Sequence, residues 1–565
     1  MTTHRLAETP NDQITKELEA YSPFLRQLLF TRGIETKTDA EAFLNPSYDN
    51  DLHDPFLLHD MDTAVDRILR AIKEEEQIVI YSDYDCDGIP GGVVLHDFFV
   101  AIKYKHFSNH IPHRHYDGFG LSAPAVEKLT EEGAKLIVTI DCGTTDIDAV
   151  SKANELGIDV IITDHHQAKE TLPDAVAIVN PQIGDTYPFK GLCGSGVIYK
   201  VIQALIAKGD FDLIPGQEKW FLDMVGVATI ADMVPLRDEN RAFAYYGLQV
   251  LRKSRRPGLQ HLLRKQKASQ EHLTEDDIGF TIGPRINAAS RMDTPEDAFH
   301  MLATTDEGEA GMRVEHLEKL NNERKGAVSA MTKEVHKRMK AMESLPDVLV
   351  LGNPEWRPSL VGLTANKLAE EYNRPAYVWG RDGNGKIKGS CRSNGTVSVI
   401  AIMEAASEHL HEFGGHHMAG GFGVQEEQIH TLSQAMNDAY AAMGNDVLID
   451  TQHVVDCVLT LDEITSTLIA EQASLTPFGM NNAKPLYKLE NIIPREVAVF
   501  GKTKEHTKLQ FDTNGYAKEA IAFFSLPEDF SVLPEAGKAC TLLAHLEQSY
   551  FMGRVQTRLR IVDVV

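Results

Sequence analysis

Three short apolar runs, each ending abruptly in carboxylates, constrain this chain more than anything else in it. Ile78-Val79-Ile80-Tyr81-Ser82 leads into Asp83-Tyr84-Asp85-Cys86-Asp87-Gly88, Leu136-Ile137-Val138-Thr139-Ile140 into Asp141-Cys142-Gly143, and Val160-Ile161-Ile162-Thr163 into Asp164-His165-His166. Continuous apolar runs of this length read as strands buried on both faces. In an open α/β sheet, parallel strands deliver functional groups into the crevice at their carboxyl ends, so the three clusters are expected to converge. Carboxylates gathered there repel one another and resist ionising together unless cations neutralise them. The chain is therefore expected to be a divalent-metal enzyme.

A length of 565 residues exceeds one ordinary core and predicts about three or four domains. The formal charge of −26 argues against indiscriminate polyanion binding, which depends on Lys and Arg neutralising phosphates. A nucleic-acid site must then be local, metal-assisted and salt-sensitive. The one local basic excess, Arg252-Lys253-Ser254-Arg255-Arg256 with Arg264-Lys265-Gln266-Lys267, reads as a solvated helix surface. Met1 to Arg5 lacks the apolar core of a signal peptide, and no run approaches the roughly 18 apolar residues that span a bilayer. A cytoplasmic location without membrane contact is expected. Six cysteines without a CxxC pair signal neither a disulfide framework nor a zinc ribbon.

Residues 1–55 read as a leader of short helices that packs on the domain next to it in the chain. From Met61 the pattern alternates: helices over Ala64 to Ile72, Gly92 to Lys103, Ala123 to Glu132 and Asp148 to Leu156 separate the strands, the last of which is Ala175 to Val179. This is the βαβ rhythm of a doubly wound parallel sheet, assigned to residues 56–300. Ala298 to about Met342 reads as one long charged helix, and residues 301–343 as a rigid connector. A second α/β unit spans 344–445, with Asp347 to Leu351 and Ala376 to Trp379 as strands and Gly362 to Glu371 as a helix. Residues 446–565 carry short alternating segments and read as a small β-barrel.

The first acidic cluster begins like an EF-hand loop, but position twelve is Val94 and a strand precedes it, so that reading fails. Adjacent histidines after an acidic residue at a strand end point to a metal or phosphate role. Asp232, in Ala228-Thr229-Ile230-Ala231-Asp232-Met233-Val234-Pro235-Leu236, sits in an apolar stretch and needs a cation or basic partner, unless it caps a helix. An oxygen-rich set with one strongly implicated imidazole suits Mn²⁺ or Mg²⁺ rather than zinc. Two such ions about 4 Å apart can carry out in-line phosphoester hydrolysis.

Asp-Tyr-Asp-x-Asp-Gly, Asp-Cys-Gly, Asp-His-His and Ala-Asp-Met-Val-Pro-Leu, in this order, resemble the four signature motifs of the DHH phosphoesterases, and within them the RecJ exonucleases. The resemblance extends to Gly283-Pro284-Arg285-Ile286-Asn287-Ala288-Ala289-Ser290-Arg291, Gly389-Ser390-Cys391-Arg392-Ser393, Gly414-Gly415-His416-His417-Met418-Ala419-Gly420-Gly421 and Leu475-Thr476-Pro477-Phe478-Gly479. It implies a DHH domain, a smaller DHHA1 domain beyond the connector helix and a C-terminal OB barrel. It also implies 5′→3′ degradation of single-stranded DNA to mononucleotides in repair and recombination, by a monomer that has a single-strand-binding protein and a helicase as partners.

By the same resemblance Asp83, Asp85, Asp141, His165 and Asp232 are ligands of two ions, with Asp141 between them. Asp87 and Asp164 orient ligands, and His166 faces the scissile phosphate. Arg285, Ser390, Arg392 and His416 clamp the terminal 5′ phosphate, and Arg114, before Gly118-Phe119-Gly120-Leu121, contacts phosphate.

Four features depart from the family pattern. Pro90 suits the first turn of a helix; Asp146 is expected to cap the next helix; Ser290 replaces a usual glycine; Asn481-Asn482-Ala483-Lys484-Pro485 loosens the barrel signature. Two other readings stand beside the exonuclease: a phosphodiesterase of short RNA or cyclic dinucleotides, and an inert nucleic-acid-binding scaffold. A dehydrogenase is excluded, because no G-x-G-x-x-G follows the first strand.

Overall fold

A computed structural model describes residues 4–443, 453–551 and 554–565. Five strands, β1 (Ile78–Ser82), β2 (Phe107–His110), β3 (Leu136–Ile140), β4 (Asp159–Thr163) and β5 (Ala177–Val179), form an all-parallel sheet in the order β2-β1-β3-β4-β5. Every residue of β1 and β3 is buried, because helices cover both faces. Ile78, Ile80, Val138 and Ile140 pack with helices α1 (Gly88–Ala101) and α2 (Gly194–Lys208), while Val79, Tyr81 and Ile137 pack with Val126, Leu129 and Val150 on the other side. The strand order reverses direction between β1 and β3, and a doubly wound sheet opens its ligand crevice at that switch point.

Helix α3 (Leu222–Ala231) packs against α1, and α4 (Gly283–Met292) against the long helix α5 (Glu307–Lys340). With 34 residues, α5 is about 50 Å long. Val314, Leu317 and Leu320 of its first half belong to the core of the first domain; Met331, Val335 and Met339 of its second half belong to that of the next. The continuous helix expected from Ala298 is broken. One helix ends at Ala303, and α5 starts anew where the Asp306 carboxylate accepts the Glu309 N–H at 2.7 Å.

The second domain is a five-stranded sheet of β6 (Leu349–Gly352), β7 (Ala376–Arg381), β8 (Ile387–Arg392), β9 (Glu412–His416) and β10 (Ala419–Val424), ordered β9-β10-β8-β7-β6. Only β6 and β7 run parallel. Helix α6 (Pro358–Tyr372) covers the face toward α5. The C-terminal domain is a seven-stranded sheet spanning Cys457–Leu459 to Arg554–Val564, with register shifts at Leu489/Ile492 and Leu543/Ala544 of the kind that curl a sheet.

The leader packs on the domain that follows it, through Tyr48 and Leu52, and also reaches the far end of the chain. Leu25, Leu28, Leu29 and Phe43 share one core with Tyr487, Leu489 and Leu542 of the C-terminal sheet, and His4–Leu6 pairs in parallel with His453–Val455. The loosened segment around Asn481 lies at this junction. Arg32 donates to Asn482 Oδ1 at 2.8 Å and Arg237 to Asn481 O at 3.1 Å. Buried Arg241 donates to Phe43 O at 2.6 Å and Thr476 O at 3.1 Å, with its guanidinium 3.7 Å from the centre of the Phe43 ring. Arg241→Ala strips donors from buried carbonyls and is expected to cost about 2–4 kcal/mol. A lowered first transition in a calorimetric melt of the whole chain checks this, and an unchanged melt refutes it.

Candidate metal and phosphate site

The ends of β1, β3 and β4 converge as the strand order requires. Asp83 and Asp85 follow β1, and the Asp85 carboxylate accepts the N–H groups of Asp87 (2.8 Å) and Gly88 (3.3 Å) at the start of α1. Both carboxylate oxygens of Asp87 are taken by the N-terminus of α2, from Gly194 N at 2.6 Å and Ser195 N at 2.7 Å. This helix end comes so close to β3 that a Cβ on Gly194 would lie 2.5 Å from Asp141 Cβ. Asp141 itself holds a left-handed backbone, φ +63°. After β4, Asp164 accepts the amides of Thr144 (3.0 Å) and His165 (2.7 Å) together with His166 Nδ1 (2.8 Å). Asp232 arrives from the C-terminus of α3.

His165 Nε2 stands at the centre, 3.1 Å from Asp141 Oδ1, 3.7 Å from Asp87 Oδ2 and 3.8 Å from Asp232 Oδ2. Ligand atoms lie within 4.8 Å of one another in three overlapping groups: Asp83, Asp85 and Asp141; Asp87, His165 and Asp232; Asp141, His165 and His166. Asp141 therefore touches both halves of the pocket. Burial, then the neighbouring carboxylates, pushes Asp83 and Asp141 well above the usual carboxylate range and Asp232 to about 9. Burial also lowers His165, favouring the neutral imidazole that binds metals. His166 differs: burial opposes its charge, but the bond to Asp164 outweighs it and lifts the pKa to about 9. Burial likewise works against the Asp164 charge, and the bonds from His166 and Thr144 overcome it, holding this carboxyl below its usual range.

The residues fit divalent cations on one decisive point. Among the described residues Asp83 Oδ1 and Asp141 Oδ1 are buried without a hydrogen-bond partner, and an orphaned carboxylate oxygen among other carboxylates is strongly destabilising. The close approach of His165 Nε2 to Asp141 Oδ1 does not form a hydrogen bond, so two lone-pair donors face one space.

Across the cleft, Ser390 and Arg392 lie two residues apart on β8 and lean on α6, where a Cβ at Gly362 would be 3.3 Å from Ser390 Oγ and from Arg392 Nη2. Arg392, Ala419 and His416 form one transverse row of the sheet, which puts Arg392 and His416 on the same face. Arg114 lies 4.8 Å from the centre of the Tyr84 ring. Arg285, expected in the clamp, has its guanidinium already engaged by protein groups. It is 4% exposed, ion-paired with Glu318 at 2.8 Å, and bonded to Thr281 O (2.9 Å) and Gln266 Oε1 (2.6 Å).

Arg291 takes the cleft side instead. Six residues along a helix is a rotation of about 240°, so Arg285 and Arg291 point apart. Burial and the charges of Arg114, Arg324 and Arg392 pull Arg291 down to about 9. Among the described residues none of these four arginines has an ion pair, and such a cluster calls for an anion. Helical phase in the sequence could have exposed Arg291; nothing local marked Arg324.

Comparison with known proteins agrees with this layout. The DHH family N-terminal domain matches residues 77–229, the DHHA1 domain 346–442 and the RecJ OB domain 455–563. The single-stranded-DNA-specific exonuclease RecJ of Bacillus subtilis is 35% identical over 554 residues, 97% of this chain and 69% of that protein. This chain belongs to the RecJ family.

Crystal structures of Thermus thermophilus RecJ in complex with Mn²⁺ and with Mg²⁺ are similar to the whole chain, with TM-scores of 0.82 and 0.76 at 26% and 25% identity, covering 79% and 78% of those chains. Against the RecJ pattern, Pro90 lies in the first turn of α1 without disturbing it. Asp146 precedes the helix Ile147–Glu155 but makes no capping bond with it; its carboxylate accepts Leu121 N at 2.6 Å. Because the buried carboxylates repel, Asp141→Asn is expected to raise Tm in the absence of metal. In the parent chain Mn²⁺ at 100 times its Kd should stabilise by about 2.7 kcal/mol, a gain the variant loses. Thermal melts with and without Mn²⁺ test both signs.

Proposed function

We propose that the chain is a metal-dependent exonuclease that degrades single-stranded DNA from the 5′ end to mononucleotides. The observation that carries this is the pair of orphaned oxygens on Asp83 and Asp141 beside arginines that form no ion pair among the described residues. Asp83, Asp85, Asp141, His165 and Asp232 would hold two Mn²⁺ or Mg²⁺ ions, with Asp141 between them and Asp87 fixing the pocket through α2. Two bound ions supply charge neutralisation and an activated water for in-line phosphodiester displacement.

The chain's own groups do the rest. His166, half-exposed, is held by Asp164 in its charged form and directs a positive hydrogen-bond donor at the phosphate where negative charge builds. Arg291, Arg392, Arg114 and Arg324, with Ser390 and His416, hold the terminal 5′ phosphate; Arg285 braces α4 against α5. The length of α5 sets the distance from that anchor to the cutting site, which makes the strand end the ruler. On the C-terminal sheet, exposed Phe524 and the Phe523 ring, 4.1 Å from the Arg560 guanidinium, offer stacking and charge to the trailing strand.

This layout favours long single strands over short RNA or cyclic dinucleotides, which need neither connector nor third domain. Every ligand position is filled, which disfavours an inert scaffold. Among the described residues no helix is long and apolar enough to cross a membrane. On this reading the chain works in the cytoplasm as a monomer, with a single-strand-binding protein and a helicase supplying its strands.

Single strands labelled at either end, with and without Mn²⁺, test the proposal. Mononucleotide release only from the 5′ label and only with metal is expected; release from the 3′ end refutes it. Asp141→Ala should lower turnover by on the order of 10³-fold or more. Arg291→Ala and Arg392→Ala should erode the preference for a 5′-phosphorylated over a blocked terminus, whereas Arg285→Ala should lower Tm and leave that preference intact.

A further inference from the structure

We infer that Asp146 is a positioning residue that clamps the loop Gly118 to Leu121 and so sets Phe119 against His166 at the mouth of the metal pocket. Its effect on turnover rests on the hydrolytic reading above; the clamp itself does not.

The peptide linking Gly120 to Leu121 is gripped at both polar atoms. Its carbonyl accepts the buried Tyr81 hydroxyl at 2.9 Å, and its N–H donates to Asp146 Oδ2 at 2.6 Å. Tyr81 lies at the end of β1, two residues before Asp83, and Asp146 lies five residues after Asp141. The loop is thus held by the same two strand ends that carry the acidic pocket. Gly120 has φ +81°, and a Cβ there would sit 2.4 Å from Asp146 Oδ2, so the backbone rests directly on the carboxylate. Burial pushes the Asp146 carboxyl up to about 6. A half-buried acid that makes no capping bond to its own helix directs its charge at the loop instead.

The loop presents Phe119, a residue that is 51% exposed. It meets the His166 ring edge-on at 5.5 Å and 73°, and the Tyr84 ring at 6.4 Å and 81°. Tyr84 in turn lies beneath the Arg114 guanidinium. His166 is fixed on one side by Asp164, and Phe119 bounds its other motion. Releasing the Gly120 to Leu121 peptide frees Phe119, and with it the imidazole and Arg114. A small displacement of groups around a reacting phosphate is costly in rate.

The test uses the full chain with Asp146→Ala, Asp146→Asn, Phe119→Ala and the double variant Asp146→Ala/Phe119→Ala. Hydrogen exchange followed by mass spectrometry reads the clamp without any need for activity. Asp146→Ala should exchange at least about tenfold faster over residues 118–121, while Asp146→Asn, which keeps an acceptor oxygen, stays near the parent. On a long 5′-phosphorylated strand, Asp146→Ala and Phe119→Ala should each lower kcat by about tenfold or more with a smaller change in KM, and the double variant should be no worse than either. Parent-like exchange in Asp146→Ala, a loosened loop with unchanged kcat, additive losses in the double variant, or an Asn variant as impaired as Ala would each overturn the inference. A parent chain that fails to hydrolyse the strand would instead sink the hydrolytic reading, and the exchange result would still decide the clamp.

Discussion

Repulsion among buried carboxylates at one point of a parallel sheet is the constraint around which this molecule is arranged. Asp83, Asp85, Asp87, Asp141 and Asp232 meet at the carboxyl ends of the paired strands β1 and β3, and only some of their charge is met by protein groups. Asp87 is satisfied by a helix N-terminus, and Asp164 by backbone amides and an imidazole. Asp83 and Asp141 keep oxygens that no described residue serves. The fold thus holds an electrostatic imbalance that divalent cations are suited to cancel, and the same rigidity keeps the ligands from relaxing apart.

The second constraint is of opposite sign. Arginines from α4, α5, β8 and the loop after β2 crowd one another between the domains, and α5 is the common strut that keeps both charge clusters at fixed separation. A negative pocket suited to cations and a positive cluster suited to anions fit a metal-assisted reaction on a polyanion despite an overall charge of −26. The C-terminal sheet is tied to this arrangement through the leader and the Arg32, Arg237 and Arg241 junction rather than through α5.

What was legible in the sequence was local or periodic. The buried strands, the acidic turns after them and the second α/β unit all follow from apolar runs and turn chemistry over fewer than about ten residues. Misreadings arose where a residue's partner lay far along the chain. Asp146 resembled a helix cap because the loop it serves is twenty-five positions away in sequence, at Leu121. The leader's apolar helices gave no hint that their core would be completed by Tyr487 and Leu542. The break at Thr304 had a local sign, Asp306 three residues before Glu309, that the long charged pattern concealed.

The sequence alone determined the parallel sheet, the convergence of its carboxyl ends and hence the need for cations, since each depends on neighbours in the chain and on the alternation of strand and helix. Tertiary structure decided which of Arg285 and Arg291 reaches the cleft, which carboxylate oxygens stay unserved and what Asp146 holds. Those outcomes depend on helix phase and on packing between distant segments, where about 240° of helix rotation separates a buried brace from a group on the cleft side.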